Sequence, residues 1–233
     1  MKLWKRLKSL FKSTPTQSPN SGNNSPAKVP PAEPIPEIPT KEEVENFPNV
    51  IDLGKWAGIK IDENRKAEVQ AVVNFFIGNK TRYVKVENLC GVPAELICAL
   101  HYRESSLSFA GVLHNGERIL NTGKKTKLVP KGRGPFKTWE EAAVDALMLK
   151  KSIFPSKWTF ESMMEFAERF NGTGYRTKVG DSGKIELSPY VFAGTNLHDE
   201  TSKYVSDGKY SPTAKEAQLG VAAIIIGLSE ARA

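Results

Sequence analysis

The spacing of apolar residues predicts a mainly helical domain over residues 46–233. One stripe at helical spacing follows a candidate N-cap at Asp62 and consists of Val69, Val72, Val73 and Phe76. Pro93 suits the first turn of a second helix, because the first amides of a helix have no partner within it and proline has no amide hydrogen. That second helix would end near Glu104 and carry its apolar face on Leu96, Ile97 and Leu100.

Three further helices are predicted from their capping residues. Thr138 with Glu141 fits a capping box, and the helix that it opens carries Ala143, Leu147 and Leu149. Thr159 precedes a stripe formed by Met163, Met164, Phe166, Ala167 and Phe170. Thr213 with Glu216 would open the last helix, which is apolar nearly all round up to Leu228 and is therefore expected to be buried. Residues 111–137 are rich in glycine, lysine and turn formers, which predicts a loop or a short hairpin.

The first 45 residues differ from the rest of the chain. Residues 1–13 contain basic but no acidic side chains, and one helix face would carry Leu3, Leu7, Leu10 and Phe11. Such a cationic helix suits the surface of an anionic membrane, and the alternative is an unstructured basic tag. Residues 14–45 hold eight of the 15 prolines and predict an extended linker without a core.

Composition limits the classes of partner without selecting one. The net charge of +7 favours nucleic acid, anionic lipid or the acidic bacterial wall. In the globular part the basic residues are interleaved with acidic ones and form no recognised motif, so we expect no nucleic-acid partner. No apolar run reaches the roughly 18 residues of a membrane span, and the N-terminus lacks the apolar core of a standard signal peptide.

The cysteines and histidines do not predict a metal site. Cys90 and Cys98 are the only cysteines, and they do not form a zinc-binding pattern. Cys98 lies in an apolar helical run and is expected to be a buried thiol. His114 and His198 have no ligand-like spacing. We therefore expect no metal. We also expect no cofactor and a monomeric protein.

Glu104 occupies an unusual position for a carboxylate. At about 100° per residue it lies nearly in line with Ile97 and close to Leu100, at the C-terminal end of its helix. Burial raises the pKa of a carboxyl, and the negative end of the helix dipole acts in the same direction. A carboxylic acid that stays protonated near neutral pH can protonate a glycosidic oxygen. The alternative is a partly exposed glutamate paired with Arg103 or a lysine.

The residues around Glu104 resemble the catalytic helix of soluble lytic transglycosylases and goose-type lysozymes. Cys90-Gly91-Val92-Pro93 resembles the Gly-Val-x-Pro-type start of that helix, and Tyr102-Arg103-Glu104-Ser105 resembles its Glu-Ser end. The resemblance implies a lysozyme-like α+β fold and cleavage of peptidoglycan glycan strands. It assigns the catalytic acid to Glu104 and its partner serine to Ser105.

Two later segments match the same family in the same order. Phe170-Asn171-Gly172 resembles a Tyr-Asn-Gly segment that lines the sugar cleft, with phenylalanine in place of tyrosine. Pro189-Tyr190-Val191 resembles a Tyr-Val segment whose tyrosine lies near the acid. Within the superfamily the likeness is to phage endolysins and covers roughly residues 85 to 225. It rests on His101-Tyr102-Arg103-Glu104-Ser105-Ser106, Leu113-His114-Asn115-Gly116, Pro135-Phe136 with Thr138-Trp139-Glu140-Glu141, Glu168-Arg169-Phe170-Asn171-Gly172-Thr173-Gly174-Tyr175 and Ser188-Pro189-Tyr190. It implies an enzyme that stays in the host cytoplasm until the membrane is opened and then acts on the wall, or one that is carried in the virion.

Other polar and aromatic residues are candidates for sugar contacts. Donors and acceptors for N-acetyl and hydroxyl groups would be Asn115, Asn171, Tyr175 and Asn196. Phe136 and Trp139 could offer an apolar surface to a sugar face, although Trp139 suits the core equally well. His101 precedes the acid by one helical turn and is expected to make a structural hydrogen bond.

The number of catalytic carboxylates separates two mechanisms. A hydrolytic lysozyme generally needs a second carboxylate. A lytic transglycosylase needs only one, which protonates the leaving oxygen and then acts as base while the 6-hydroxyl of the sugar closes an anhydro ring. Glu117 and Asp145 are candidates for a second carboxylate, but neither has an environment that supports the role, so the one-carboxylate mechanism is favoured. The alternatives are a hydrolytic muramidase, a chitinase-like hydrolase, and a non-catalytic wall-binding or virion structural module.

Overall fold

Six α-helices and one small antiparallel sheet make up the part of the chain that the computed structural model describes, residues 54–177, 187–198, 201, 203–206 and 209–231. The helices are numbered in chain order: α1 (Lys66–Cys90), α2 (Ala94–Ser105), α3 (Trp139–Met148), α4 (Phe160–Asn171), α5 (Pro189–Phe192) and α6 (Val221–Glu230). Strands β1 (Lys203–Ser206) and β2 (Lys209–Ser211) form the sheet. Short 3-10 turns lie at Gly54–Trp56, Glu63–Arg65, Lys151–Ile153 and Gly174–Thr177. The predicted mainly helical class is confirmed.

Two of the predicted segments cannot be placed in this architecture. The cationic segment at residues 1–13 and the linker at residues 14–45 both lie outside the described residues. The described helices all belong to one unit, residues 45–233. None of them combines the length and the apolar character that crossing a bilayer requires.

Helix α2 runs through the centre of the core. Every residue from Ala94 to His101 is buried. Helices α1 and α6 both pack against α2, and α1 also contacts α3 and α6. The predicted stripe on α1 is confirmed, since Val69, Val72, Val73 and Phe76 are all buried. Because α2 is held by its neighbours along most of its length, the position of its last turn, which carries Glu104, is fixed by the core.

The first turns of α3 and α4 are capped by the predicted threonines. The Oγ1 of Thr138 accepts the amide of Glu141 at 3.1 Å, and the Glu141 carboxylate accepts the amide of Lys137 at 2.8 Å. The capping box at α4 is complete, with Thr159 and Ser162 accepting each other's amides. These bonds satisfy amides that have no partner within the helix.

The last helix begins later than the sequence predicts, at Val221 rather than at Thr213. Glu216 does not cap it, because its carboxylate accepts the amide of Gln218 at 2.9 Å and pairs with Arg103. Residues 212–220 are irregular for this reason, and Gly220 is the N-cap. The predicted burial of the helix is confirmed from Val221 to Leu228.

The two-stranded sheet lies outside the segment for which the sequence predicts a loop or a hairpin. Residues 111–137 form a loop without a helix or strand. In the sheet, Tyr204 lies opposite Tyr210, and their rings meet edge-on with centroids 5.5 Å apart. Such cross-strand aromatic pairs stabilise short hairpins, which the sequence pattern of these brief strands does not reveal.

Gly227 allows close packing of α6 on α1, and a side chain there is expected to destabilise the fold. A Cβ at this position would lie well inside the van der Waals radius of Cγ1 of Val69, whose branched side chain has little rotameric freedom. We expect Gly227→Ala to lower the free energy of unfolding by about 2 kcal/mol, the usual cost of overpacking a core.

Gly78, in the exposed part of α1, is the matched control. A Cβ at Gly78 would meet no atom within 4 Å, so Gly78→Ala is expected to raise the free energy of unfolding by about 0.5–1 kcal/mol through helix propensity. Urea denaturation measures both variants. Equal stabilities for the two would contradict the close contact between α6 and α1.

Candidate active site

Glu104 and Tyr190 meet although they are far apart in the sequence. Glu104 lies in the last turn of α2 and is half-buried, while Tyr190 lies in α5 and is 4% exposed. The Tyr190 hydroxyl donates a hydrogen bond to Oε1 of Glu104 at 2.8 Å. The family resemblance places this tyrosine near the acid, and the structure brings the two side chains into contact.

The environment of Glu104 favours its protonated form. Burial raises the pKa of Glu104 to about 7, although the hydrogen bond from Tyr190 and the charge of Arg103 both act to lower it. Burial, together with the nearby Glu104 charge, also raises the pKa of Tyr190, so its hydroxyl keeps its proton and remains a donor. The site therefore contains a carboxyl that can release and take up a proton near neutral pH, beside a fixed donor.

Arg103 lies over the ring of Tyr190. Its guanidinium carbon is 4.6 Å from the ring centroid. The guanidinium donates to the carbonyl of Leu219 at 3.1 Å and lies 3.5 Å from the carboxylate of Glu216. Both charged side chains are nearly inaccessible, at 7% for Arg103 and 8% for Glu216. The segment before α6 therefore contributes Glu216 to a buried ion pair whose arginine contacts the Tyr190 ring.

Close backbone contacts hold the elements that carry the acid and the tyrosine. The amide of Gly220 donates to the carbonyl of Ala193 at 2.7 Å, and a Cβ at Gly220 would collide with the carbonyl of Val191, the residue after Tyr190. A Cβ at Gly116 would lie 2.5 Å from the carbonyl oxygen of Glu104 itself. Glycine at these two positions lets the chain approach both partners of the site.

Ser105 and Asn115 lie close to the acid along the chain and bond to the protein rather than remaining free. The Ser105 hydroxyl donates to the carbonyls of His101 and Ser108, each at 3.3 Å. The Asn115 amide donates to Glu117 at 3.0 Å and to the carbonyl of Val129 at 3.3 Å. Both residues shape the loop that follows α2, and their predicted contacts with sugar remain predictions.

The remaining candidates for sugar contacts are dispersed among several elements. Phe136 is buried and stacks on His114 with centroids 5.4 Å apart. The Tyr175 hydroxyl accepts the amide of Tyr204 at 2.9 Å, which attaches β1 to the turn after α4. Asn171 is exposed at the end of α4. Asn196 accepts the amide of Lys60 at 2.7 Å and donates to the carbonyl of Gly58 at 3.2 Å. Of these four, Phe136 and Tyr175 are buried, while Asn171 and Asn196 are exposed.

Glu117, a candidate second carboxylate, organises the loop after α2. It accepts the amides of Leu128 at 2.9 Å and Lys127 at 3.0 Å. Partial desolvation would raise its pKa, but these bonds and the one from Asn115 outweigh that effect and lower the pKa of Glu117. A carboxylate held by two backbone amides is already used in building the loop.

Asp145, the other candidate, belongs to a cluster that the sequence does not reveal. Its carboxylate accepts from Nε of Arg133 at 2.9 Å and lies 2.8 Å from Nε2 of His114. Desolvation would raise its pKa, but the bonds from Arg133 and His114 prevail and lower the pKa of Asp145. The cluster attaches the loop to α3. No local motif predicts it, because Arg133 and His114 lie 12 and 31 positions from Asp145 in the chain.

The predicted structural roles of His101 and Cys98 are confirmed, and Trp139, for which two roles were open, lies in the core. His101 is fully buried and its Nδ1 lies 2.9 Å from the hydroxyl of Tyr83. Burial lowers the pKa of His101 to about 4, so the imidazole is neutral and structural. Trp139 is 1% exposed and packs in the core rather than on a surface that could meet sugar. Cys98 is a buried free thiol.

Comparisons with known proteins do not assign this site to a family. No family model, curated protein or solved structure matches the chain. Within the described residues, no three histidine, cysteine or carboxylate side chains are grouped so that they could hold a metal ion. The chemistry of the site has to be inferred from Glu104, Tyr190 and the charges around them.

Proposed function

We propose that the protein is a peptidoglycan-degrading enzyme of the phage endolysin type. In this proposal it cleaves the β-1,4 bond between N-acetylmuramic acid and N-acetylglucosamine, with Glu104 as the single catalytic carboxyl. The observation that carries the proposal is the hydrogen bond from Tyr190 to a half-buried Glu104 whose pKa is about 7. The net charge of +7 suits an acidic wall as the partner.

Glu104 acts first as an acid and then as a base. In its protonated form it donates the proton to the glycosidic oxygen, and the bond from that oxygen to C1 of the muramic acid breaks. The carboxylate left behind then removes the proton of the 6-hydroxyl of the same sugar, and the 6-oxygen bonds to C1 to close a 1,6-anhydro ring. Glu104 ends the cycle protonated, so the reaction consumes no water and requires no second carboxylate.

The hydrogen bonds that Glu117 and Asp145 already make favour this one-carboxylate mechanism. A nucleophile or a base for water must present a free carboxylate oxygen to the sugar. Glu117 is bonded to the amides of Lys127 and Leu128, and Asp145 to Arg133 and His114. These bonds hold both carboxylates in structural roles, Glu117 within the loop and Asp145 between the loop and α3.

Mass spectrometry of digested peptidoglycan tests the proposal. We expect muropeptides lighter by one water than hydrolysis products, because the anhydro ring forms without water. The same products are expected from Glu117→Gln and Asp145→Asn, with Glu104→Gln as the inactive control. Reducing-end products that disappear in either carboxylate variant would identify a hydrolytic muramidase instead. Wall binding without any released sugar would identify a non-catalytic module.

A further inference from the structure

The buried ion pair between Arg103 and Glu216 has no part in the mechanism described so far. Arg103 adjoins Glu104 in the chain, and an arginine stays charged at any pH that proteins tolerate. An unbalanced positive charge so close to a carboxyl favours loss of its proton. An acid that must be protonated at neutral pH is therefore poorly served by this neighbour unless another group offsets the charge.

Glu216 supplies the offsetting charge from a distant part of the chain. Its carboxylate lies 3.5 Å from the Arg103 guanidinium, and both side chains are more than nine-tenths buried. Burial would raise the pKa of Glu216, but the charge of Arg103 outweighs burial and lowers it, so Glu216 is ionised. In a water-poor environment such a pair interacts more strongly than it would at the surface.

We infer that Glu216 is a positioning residue that acts through Arg103, balancing the guanidinium charge so that Glu104 keeps its proton. The inference rests on the proposed function for its catalytic meaning, while the electrostatic relation stands on the geometry alone. Arg103 itself stays in place by donating to the carbonyls of Leu219 and Gln218 and by lying on the Tyr190 ring. Loss of Glu216 would leave its charge there unbalanced.

The other charged groups around this pair do not replace Glu216. Lys203 on β1 lies 3.7 Å from Glu216 and adds positive charge. Glu68 on α1 bonds to the hydroxyl of Tyr102 and pairs with Arg65 at 2.8 Å. Among the described residues, Glu216 is the carboxylate that forms an ion pair with Arg103.

Titration of Glu104 in the full-length Glu216→Gln variant tests the inference. Nuclear magnetic resonance of carboxyl-labelled glutamate follows each carboxyl, and the Glu104 signal is the one absent from Glu104→Gln. We expect the Glu104 titration to move to lower pH in Glu216→Gln. The alkaline limb of the wall-cleavage profile should move with it, so that the rate at pH 7 falls about fivefold for a movement of one pH unit. An unmoved Glu104 titration would overturn the inference.

Two further variants separate charge balance from general damage. Glu140, in α3, forms an ion pair of 2.5 Å with Arg82 rather than with Arg103. Glu140→Gln should therefore leave the Glu104 titration unchanged. The double variant Arg103→Met with Glu216→Gln removes both charges and should return the titration close to its wild-type position. If the Glu104 titration in the double variant lies at the same low pH as in Glu216→Gln, the role of Arg103 is contradicted.

The same measurements remain decisive if Glu216→Gln does not fold. The double variant leaves no unpaired buried charge, and it is then compared with Arg103→Met alone. Because Arg103→Met keeps the negative Glu216, its Glu104 titration should lie above that of the double variant, and equal titrations would overturn the inference. The titration does not depend on turnover. Absent sugar products with a shifted titration would therefore refute the proposed function and leave the inference standing.

Discussion

Replacing Glu104 by glutamine is expected to lower the rate of wall cleavage about a hundred- to ten-thousandfold, because general acid–base catalysis by one group typically contributes 10²–10⁴. Glutamine has nearly the same shape, and its carbonyl can still accept from Tyr190, which donates to Oε1 at 2.8 Å in the wild-type protein. The fold should therefore be retained. Release of soluble sugar from purified wall measures the loss.

The same substitution is expected to stabilise the protein at alkaline pH. The pKa of Glu104 is raised from 4.5 to about 7, so between these values the folded state binds a proton that the unfolded state releases. Stability of the wild-type protein therefore falls as pH rises through this window, with no penalty below it and the full penalty above it. Glu104→Gln lacks the titration and should be more stable than wild type by up to about 3 kcal/mol at pH 8.

Urea denaturation at pH 4 and pH 8 checks this second effect independently of activity. Glu165→Gln, at an exposed side chain on α4, provides the control and should leave the rate of cleavage unchanged. Retained cleavage by Glu104→Gln would disprove the assignment of the acid. A stability difference that is the same at both pH values would contradict the raised pKa.

Replacing Tyr190 by phenylalanine is expected to reduce the rate of cleavage about ten- to a hundredfold, since the substitution removes the donor that orients the carboxyl. The hydrogen bond from Tyr190 acts to lower the pKa of Glu104. Its loss should raise that pKa, and the alkaline limb of the pH–rate profile should move to higher pH. The direction is opposite to the one expected for Glu216→Gln.

Tyr83→Phe is the matched control for Tyr190→Phe. Tyr83 is also buried, and its hydroxyl bonds to His101 at 2.9 Å instead of to the acid. We expect this control to lose stability, because it leaves a buried ring nitrogen without its partner, while the alkaline limb stays in place. A limb that moves downward in Tyr190→Phe would contradict the proposed hydrogen bond.

Local sequence signals were sufficient to predict most of the helices. The threonines at positions 138 and 159 cap α3 and α4 as predicted. The threonine–glutamate pair at positions 213 and 216 has the same spacing and does not start a helix, because Arg103 and Gln218 engage Glu216. A capping signal competes with tertiary partners, and a local pattern cannot show which prevails.

The candidate site was predictable where it lies along one helix and much less so elsewhere. Helical periodicity placed Glu104 near the buried face, and the family resemblance singled out Tyr190. The Arg103–Glu216 pair spans 113 positions and leaves no local trace. Asn196 illustrates the opposite failure: its amide suits a sugar, yet it bonds to Lys60 and Gly58 and holds two loops together. Polar type alone does not distinguish binding from construction.

Gly220 has a consequence for how this protein tolerates mutation over time. The position is distant in sequence from both Glu104 and Tyr190, yet a side chain there would displace the backbone that carries the tyrosine. Substitution at position 220 is therefore restricted by the hydrogen bond between Tyr190 and Glu104, although the glycine has no chemical role. Inherited variation in this chain should be restricted at such backbone contacts as strongly as at the carboxyl itself.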